Sequence, residues 1–173
     1  YAVWKRDINV LTLDPNFGDS LDSEKGFVST KFGNSSKISS EVAVDLSKEV
    51  ILSGSFSLST LGKNTRLISL MSGSNGIELY SNTSNQLELY QNGNVVLTST
   101  GATLTSGGYS YFIYKTYVSI KIRVLKNDGT VFFEQTAASA TMIGTAANYV
   151  LGYESNSVSV IYGSAMVFES SVL

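Results

Sequence analysis

The chain has 173 residues, of which 43% are hydrophobic and 15% charged, and twelve basic against fourteen acidic side chains give it a formal net charge of −2. It contains no His and no Cys, which excludes Ser-His-Asp and Cys-His catalysis, His-ligated zinc and iron–sulfur ligation within a single chain. Nucleic acid is not an expected partner, because binding a phosphate backbone requires a clustered basic face.

The length predicts one domain, residues 1–173, which buries roughly 70% of the surface that its unfolded chain exposes. Residues 1–6 (YAVWKR) do not resemble a signal peptide, and no apolar run reaches the roughly 18 residues needed to span a bilayer. We therefore expect no membrane insertion. Because the chain lacks an initiating Met, we interpret it as a processed form or a piece of a longer protein.

Apolar residues alternate with polar ones along most of the chain, which is typical of half-buried strands. Residues 1–26 contain one predicted strand, at 8–13, and an acidic loop, while residues 27–173 form the main body. Turn signals rich in Gly, Asn and Ser separate its segments, and none has the apolar period of a long helix. The predicted strands of the main body are 27–32, 42–46, 50–58, 66–71, 77–80, 87–90, 95–100, 109–114, 118–124, 130–134, 149–152, 158–162 and 165–169.

The first hairpin signal joins residues 77–80 (IELY) to residues 87–90 (LELY). Each strand places Leu on one face and Glu with Tyr on the other. Bringing the Leu faces together requires an odd number of residues between paired positions, for example three in a loop at 82–84. One solvent-facing patch is then predicted to contain Glu78, Tyr80, Glu88 and Tyr90.

A second hairpin is indicated by the Asp-Gly pair at 128–129, a strong turn signal between two alternating segments. A two-residue loop there puts Val124 opposite Phe133 and Arg123 opposite Glu134. Such an ion pair contributes only about 0.2–1 kcal/mol, so the apolar face is expected to set the register.

Many short strands with regular turns predict an all-β fold, a two-sheet antiparallel sandwich of the jelly-roll type. The order of segments over residues 27–173 resembles the laminin G-like, concanavalin A-like lectin and glucanase superfamily. The segments that carry this resemblance are 54–58 (GSFSL), 66–70 (RLISL), the hairpin 76–93, the strand, Asp-Gly turn and strand at 118–131, 149–152 (YVLG) and the closing segment 163–173.

The resemblance implies that residues 2–13 pair near the last strand, as the family's terminal strand does. It also implies a frequent role in binding glycans or surface proteins, although a shared sandwich does not fix the ligand. One departure is at residues 108–111 (GYSY), where the family often has a Trp-His pair.

Catalysis is not expected. Glycoside hydrolysis needs two carboxylates about 5–10 Å apart, and glucan-cutting members of the superfamily carry Glu-x-Asp-x-x-Glu. The nearest approach here is Glu41, Asp45 and Glu49, whose spacing is wrong. Glu78 and Glu88 could face each other across a hairpin at a distance suited to a hydrolase, but Glu and Tyr are common on exposed sheet faces without chemistry.

The patch of Glu78, Tyr80, Glu88 and Tyr90 has the composition of a glycan-binding surface, because aromatic rings stack on sugar rings while carboxylates bind hydroxyls. The alternative is that these tyrosines only border the core. A second aromatic cluster consists of Tyr109, Tyr111, Tyr114 and Tyr117. Aromatic residues occur there at both odd and even positions, so part of the cluster must face inward, and core packing is expected.

The acidic loop at residues 14–24 concentrates oxygen ligands of the kind calcium binds, at Asp14, Asn16, Asp19 and Asp22. Its spacing is not that of an EF-hand. We expect a solvated acidic loop, with a calcium site as the alternative, and no other cofactor. Trp4, the only Trp, is expected to pack on the sandwich.

The sequence thus predicts a non-catalytic recognition module that binds a glycan or a cell-surface receptor through its loops and its Tyr-bearing sheet face. A Cys-free, low-charge composition rich in Ser, Thr and Asn suggests display outside the cell or on a virion, as in a phage fibre or capsid. The alternative is a structural domain that packs against copies of itself, as a homo-oligomer, or within a larger parent assembly. A divergent hydrolase is the third interpretation.

Overall fold

A computed structural model describes residues 8–10, 30–32, 37–152 and 160–170, and every regular element in these ranges is a β-strand. The strands are β1 (Ile8–Val10), β2 (Thr30–Phe32), β3 (Lys37–Val42), β4 (Glu49–Leu58), β5 (Thr65–Ser72), β6 (Asn75–Ser81), β7 (Leu87–Gln91), β8 (Asn94–Thr98), β9 (Gly107–Lys115), β10 (Ser119–Lys126), β11 (Val131–Ala138), β12 (Ala147–Gly152) and β13 (Val160–Ser170).

The strands form two antiparallel sheets. One has seven strands, in the order β1-β13-β4-β9-β10-β11 with β2 also paired to β13, and the other has six, in the order β3-β12-β5-β6-β7-β8. The predicted all-β jelly-roll sandwich is therefore confirmed. Ile8 pairs with Phe168, so over residues 8–10 the N-terminal segment does lie beside the last strand.

Strand alternation produces one core between the sheets. Leu79 and Leu89 of the six-stranded sheet are fully buried, as are Ile120 and Ile122 of the seven-stranded sheet. The alternation is clearest in β4, where every second side chain is buried. Because buried apolar area is the main favourable term in folding, this shared interior is what holds the two sheets together.

The predicted strand at 42–46 is wrong. Val42 ends β3, and the buried side chains of Val44 and Leu46 belong to the loop that follows. The Leu46 amide donates to the Gly144 carbonyl (2.8 Å), and the buried Lys115 amine donates to the carbonyls of Leu46 and Lys48 (2.8 Å each). These bonds satisfy backbone groups of the loop without a neighbouring strand. The loop therefore buries alternate apolar side chains as a strand would, and alternation alone cannot distinguish the two.

Over the described residues, the predicted strands at 158–162 and 165–169 form one strand, β13, which begins at Val160 and whose pairing with β4 shifts between Tyr162 and Ser164. Gly163 lies at this shift, and a β-carbon there would meet the Ser55 hydroxyl at 2.5 Å. An irregularity of this kind bends a strand without ending it.

The Asp-Gly hairpin has the predicted register, with Val124 opposite Phe133 and Arg123 opposite Glu134. The predicted two-residue loop is wrong, because the Lys126 amide donates to the carbonyl of residue 130 and the loop is 127–129. Residue 129, a Gly at φ 82°, adopts the left-handed conformation that such loops require. A bulge after Val124 then restores the register.

The Glu134 carboxylate forms ion pairs with Lys121 and Arg123, which lie beside each other on β10. The hydrogen bond from Lys121 lowers the pKa of Glu134 below its usual 4.5. A carboxylate with a depressed folded-state pKa stabilises the protein above its unfolded pKa and loses this effect as pH falls through the folded value.

We therefore expect Glu134→Gln to melt lower than the wild type near neutral pH and at the same temperature near pH 2, as measured by thermal denaturation. An unchanged gap at acid pH would contradict the ion pairing.

A polar contact crosses the core between the sheets. The hydroxyl of Tyr162 on β13 donates to the Leu67 carbonyl on β5 and accepts from the Gly152 amide of β12 (3.0 Å). Nearby, the hydroxyls of Tyr111 and Tyr149 lie 3.0 Å apart, and burial raises the pKa of both. Buried tyrosines thus tie one sheet to the backbone of the other.

Tyr162→Phe should destabilise the fold by about 1–3 kcal/mol, because it leaves a buried amide and a buried carbonyl without their partner. The exposed Tyr117 supplies the matched control, since Tyr117→Phe removes a hydroxyl that faces water. Urea denaturation would measure both variants. Equal midpoints for the two would show that the inter-sheet hydrogen bonds contribute nothing.

Candidate functional site

The β6–β7 hairpin has the odd spacing that was predicted, with Leu79 opposite Leu89 and both side chains buried. The Asn82 amide donates to the Gln86 carbonyl (2.9 Å), so the loop has the three residues expected, at 83–85 instead of 82–84. The Asn82 side-chain oxygen accepts hydrogen bonds from the amides of Ser84 and Gln86 (2.9 Å each). An Asn side chain that bonds to backbone amides in this way stabilises the turn.

The hairpin brings the four predicted site residues onto its outer face. Glu78 pairs with Tyr90, and Tyr80 pairs with Glu88. The ring centroids of the two tyrosines are 4.9 Å apart, with an angle of 54° between the ring planes. All four side chains are half-buried. We refer to Glu78, Tyr80, Glu88 and Tyr90 as the tyrosine patch.

Hydrogen bonds fix the orientation of the patch. The Tyr90 hydroxyl donates to Glu88 Oε2 (2.8 Å), Asn82 Nδ2 donates to Glu88 Oε1 (2.7 Å), and the Tyr80 hydroxyl donates to Glu78 Oε1 (3.4 Å). Partial burial, followed by the bond to Glu88, raises the pKa of Tyr90 to about 12. Tyr90 is therefore neutral at physiological pH, and its hydroxyl proton stays directed at a carboxylate.

One cation lies on the β5 side of the patch. Arg66 pairs with Tyr80 across β5 and β6, and its Nη1 lies 3.6 Å from Glu78 Oε1. The two side chains are only 19% and 13% exposed, respectively. Further along this side, Ser69 and Val150 are almost fully buried although they share the outer face with Glu78. This side of the patch is thus less accessible to a ligand.

The β8 side is more open. Val95 lies opposite Tyr90 and is 48% exposed, and Thr98 lies opposite Glu88. Neither residue was predicted as part of the site, although both lie in the predicted strand at 95–100. The Asn-Gly turn at 92–93, with φ values of 50° and 77°, has the mirror-image geometry of a tight hairpin and could have placed Val95 beside Tyr90.

The seven-stranded sheet carries an exposed aromatic side chain, Phe112, that was not predicted as a site. Phe112 is 40% exposed and lies opposite Arg123, which is already paired with Glu134. Its ring centroid is 6.5 Å from that of Tyr114, whose hydroxyl donates to Glu49 (2.9 Å). This surface is the second place on the sandwich where an exposed aromatic ring could contact a ligand.

Core packing is confirmed for Tyr109 and Tyr111 of the second aromatic cluster, which are buried, whereas Tyr114 is half-buried and Tyr117 is exposed. Tyr109 donates its hydroxyl to the Thr105 carbonyl (3.1 Å). Part of the cluster therefore faces inward, as its mixed parity predicted.

The carboxylates of Asp45 and Glu49 are engaged by neighbouring residues. Asp45 accepts hydrogen bonds from the Ser47 amide and hydroxyl, and Glu49 accepts one from Tyr114. Within the described ranges no group of three or more acidic, His or Cys side chains could hold a metal ion. Two predictions lie outside the described residues, namely the packing of Trp4 and the calcium alternative at Asp14, Asn16, Asp19 and Asp22.

Across the described residues, no helix has the length and apolar character needed to cross a membrane.

No protein-family model matches the chain, and no curated protein matches its sequence significantly. Similar solved structures include the CBM2 module of the evolved Dit protein of Lactobacillus casei BL23 phage J-1, at 10% identity and a TM-score of 0.52, over 79% of this chain and 71% of that one. Lectin II from Ulex europaeus is 10% identical with a TM-score of 0.59, over 85% of this chain and 94% of the lectin.

An enzyme shares the fold as well. An alginate lyase of Polysaccharide Lyase family 7 is 9% identical with a TM-score of 0.57, over 87% of this chain and 81% of the lyase. At identities this low the likeness establishes the sandwich fold and leaves the activity open.

Proposed function

We propose that this chain is a non-catalytic carbohydrate-recognition module, displayed outside the cell or on a virion, that binds its glycan on the tyrosine patch. The observation that carries the proposal is the pairing of two tyrosine rings with two carboxylates on one outer sheet face, each ring hydroxyl bonded to a carboxylate. Aromatic faces stack on the C–H surface of a sugar ring, and preorganised carboxylate oxygens accept from its hydroxyls.

The fold supports the same class of function. A phage carbohydrate-binding module and a plant lectin have similar sandwiches, and the phage module favours a virion setting. A non-catalytic role is supported by Asp45 and Glu49, whose carboxylates already accept hydrogen bonds from Ser47 and Tyr114. The lyase of the same fold is the reason to test turnover directly.

A specific feature favours the alternative, a structural or assembly domain. Val95 on β8 and Val131 on β11 are about half exposed, and both strands end their sheets. Open edge strands with exposed apolar side chains can pair with another copy or with a parent protein.

A glycan array probed with the purified chain distinguishes these functions, with light scattering on the same sample. We expect selective retention on one group of glycans, no release of cleaved sugar and a monomer or dimer. If no glycan is retained while scattering reports a stable trimer or larger species, the assembly function replaces the recognition function. Cleavage of a bound polysaccharide would contradict the non-catalytic assignment.

A further inference from the structure

Taking the proposed function as its basis, we infer that the tyrosine patch selects uncharged, hydroxyl-rich pyranoses and rejects sugars that carry a carboxylate. The directions of the hydrogen bonds and the charge of the patch lead to this conclusion independently.

The hydrogen-bond directions make the open side of the patch a surface of acceptors. The Tyr90 hydroxyl gives its proton to Glu88, so its oxygen faces a ligand only as an acceptor. Glu88 accepts one bond on each oxygen, from Asn82 and from Tyr90, and an ionised carboxylate has about four lone-pair sites. A ligand must therefore supply donors, which sugar hydroxyls do and an ionised sugar carboxylate does not.

The charge of the patch points the same way. Among the described residues, the cation paired with this patch is Arg66, which is already 3.6 Å from Glu78 and mostly covered. A second carboxylate brought close to Glu88 on this half-buried face is repelled by it, and salt screens the repulsion only in part. A uronic or sialic acid on this face therefore has no available counter-charge among these residues.

The patch and its neighbour Val95 together offer an apolar contact for one sugar ring. Tyr90 and Val95 are neighbours across β7 and β8, and Val95 is 48% exposed. The two tyrosine rings are inclined at 54° and cannot both lie flat on one pyranose. A single pyranose resting on Tyr90 and Val95 would leave its ring hydroxyls directed at Glu88.

Lys63 is the cation that could overturn this inference. It is exposed on the loop whose Gly62 amide donates to the Asn85 side chain, so it lies near the tip of the β6–β7 hairpin. An acidic sugar drawn to the tip would depend on Lys63 and on ionic strength, whereas a neutral sugar held at Glu88 would depend on neither.

The test is titration calorimetry on the purified chain with three sets of oligosaccharides. The first set is neutral, the second contains sialic or uronic acid, and the third consists of deacetylated amino sugars. We expect binding of a neutral set, little change in affinity between low and high NaCl, and no detectable binding of the acidic set. Glu88→Gln should weaken neutral binding about tenfold or more, because a carboxylate acceptor becomes a partly donating amide. Glu134→Gln, the same change on the other sheet, should leave binding unaltered.

Each other outcome has a definite meaning. Binding of acidic sugars as tight as that of neutral ones, above all if Lys63→Ala removes it, would overturn the inference while the recognition function stands. Preference for the cationic amino sugars would also overturn it, as would a folded Glu88→Gln variant with unchanged affinity. Absence of binding to all three sets and to the array would refute the recognition function itself.

Discussion

Replacing Tyr80 and Tyr90 together by alanine is expected to weaken glycan binding about 30-fold or more. Buried or half-buried tyrosines at the centre of a contact commonly contribute about 2 kcal/mol or more to binding, which corresponds to this factor. Both rings lie on the outer face, so the core between the sheets keeps its contacts. Losing a cross-strand aromatic contact costs about 0.5–1.5 kcal/mol, so the melting temperature should fall by only a few degrees.

A matched variant on the other sheet separates an effect of the patch from a general loss of aromatic surface. Phe112→Ala removes an exposed ring from the seven-stranded sheet and should leave affinity unchanged. Calorimetry with a glycan identified on the array measures both the double variant and this control. If the double variant binds normally and Phe112→Ala does not, the ligand site lies on the opposite face of the sandwich.

Leu89→Ala is expected to be the most destabilising of the proposed substitutions, by about 2–5 kcal/mol. The Leu89 side chain is fully buried between the sheets and lies opposite Leu79. Removing it loses the transfer free energy of its methyl groups and leaves a cavity that the sandwich fills only in part. Since domains of this size are stable by about 5–15 kcal/mol, such a loss can be a large fraction of the total.

Val95→Ala is the control for this effect, because Val95 lies on the adjacent strand but faces outward and is about half exposed. It should cost well under 1 kcal/mol, as surface substitutions usually do. Urea denaturation followed by circular dichroism measures both. Comparable losses for the two variants would mean that the inward and outward faces of β7 and β8 are assigned wrongly.

The fold was predictable because alternation and turn residues agree along most of the chain. The Leu residues of β6 and β7 could face the core only if Glu78 and Tyr90 faced outward, and this fixed the composition of the patch. Likewise, the register of the Asp-Gly hairpin followed from apolar and charged pairs that agreed, Val124 with Phe133 and Arg123 with Glu134.

The errors arose where tertiary contacts override the local pattern. Val44 and Leu46 alternate like a strand but are buried in a loop, which bonds to Gly144 and Lys115, both distant in sequence. The surroundings of the patch were missed for the same reason. That Arg66 approaches Glu78 depends on β5 pairing with β6, and local alternation does not reveal which strands pair.

We expect a sugar to bind on the outer face of the six-stranded sheet, which carries the tyrosine patch. The most direct test of this expectation is NMR titration of the isotope-labelled chain with a glycan identified on the array. We expect the largest shift changes at Glu88, Tyr90 and Val95, with Phe112 and Arg123 unmoved. Changes confined to Phe112 and Arg123, or to the loops at the ends of the sandwich, would contradict this expectation.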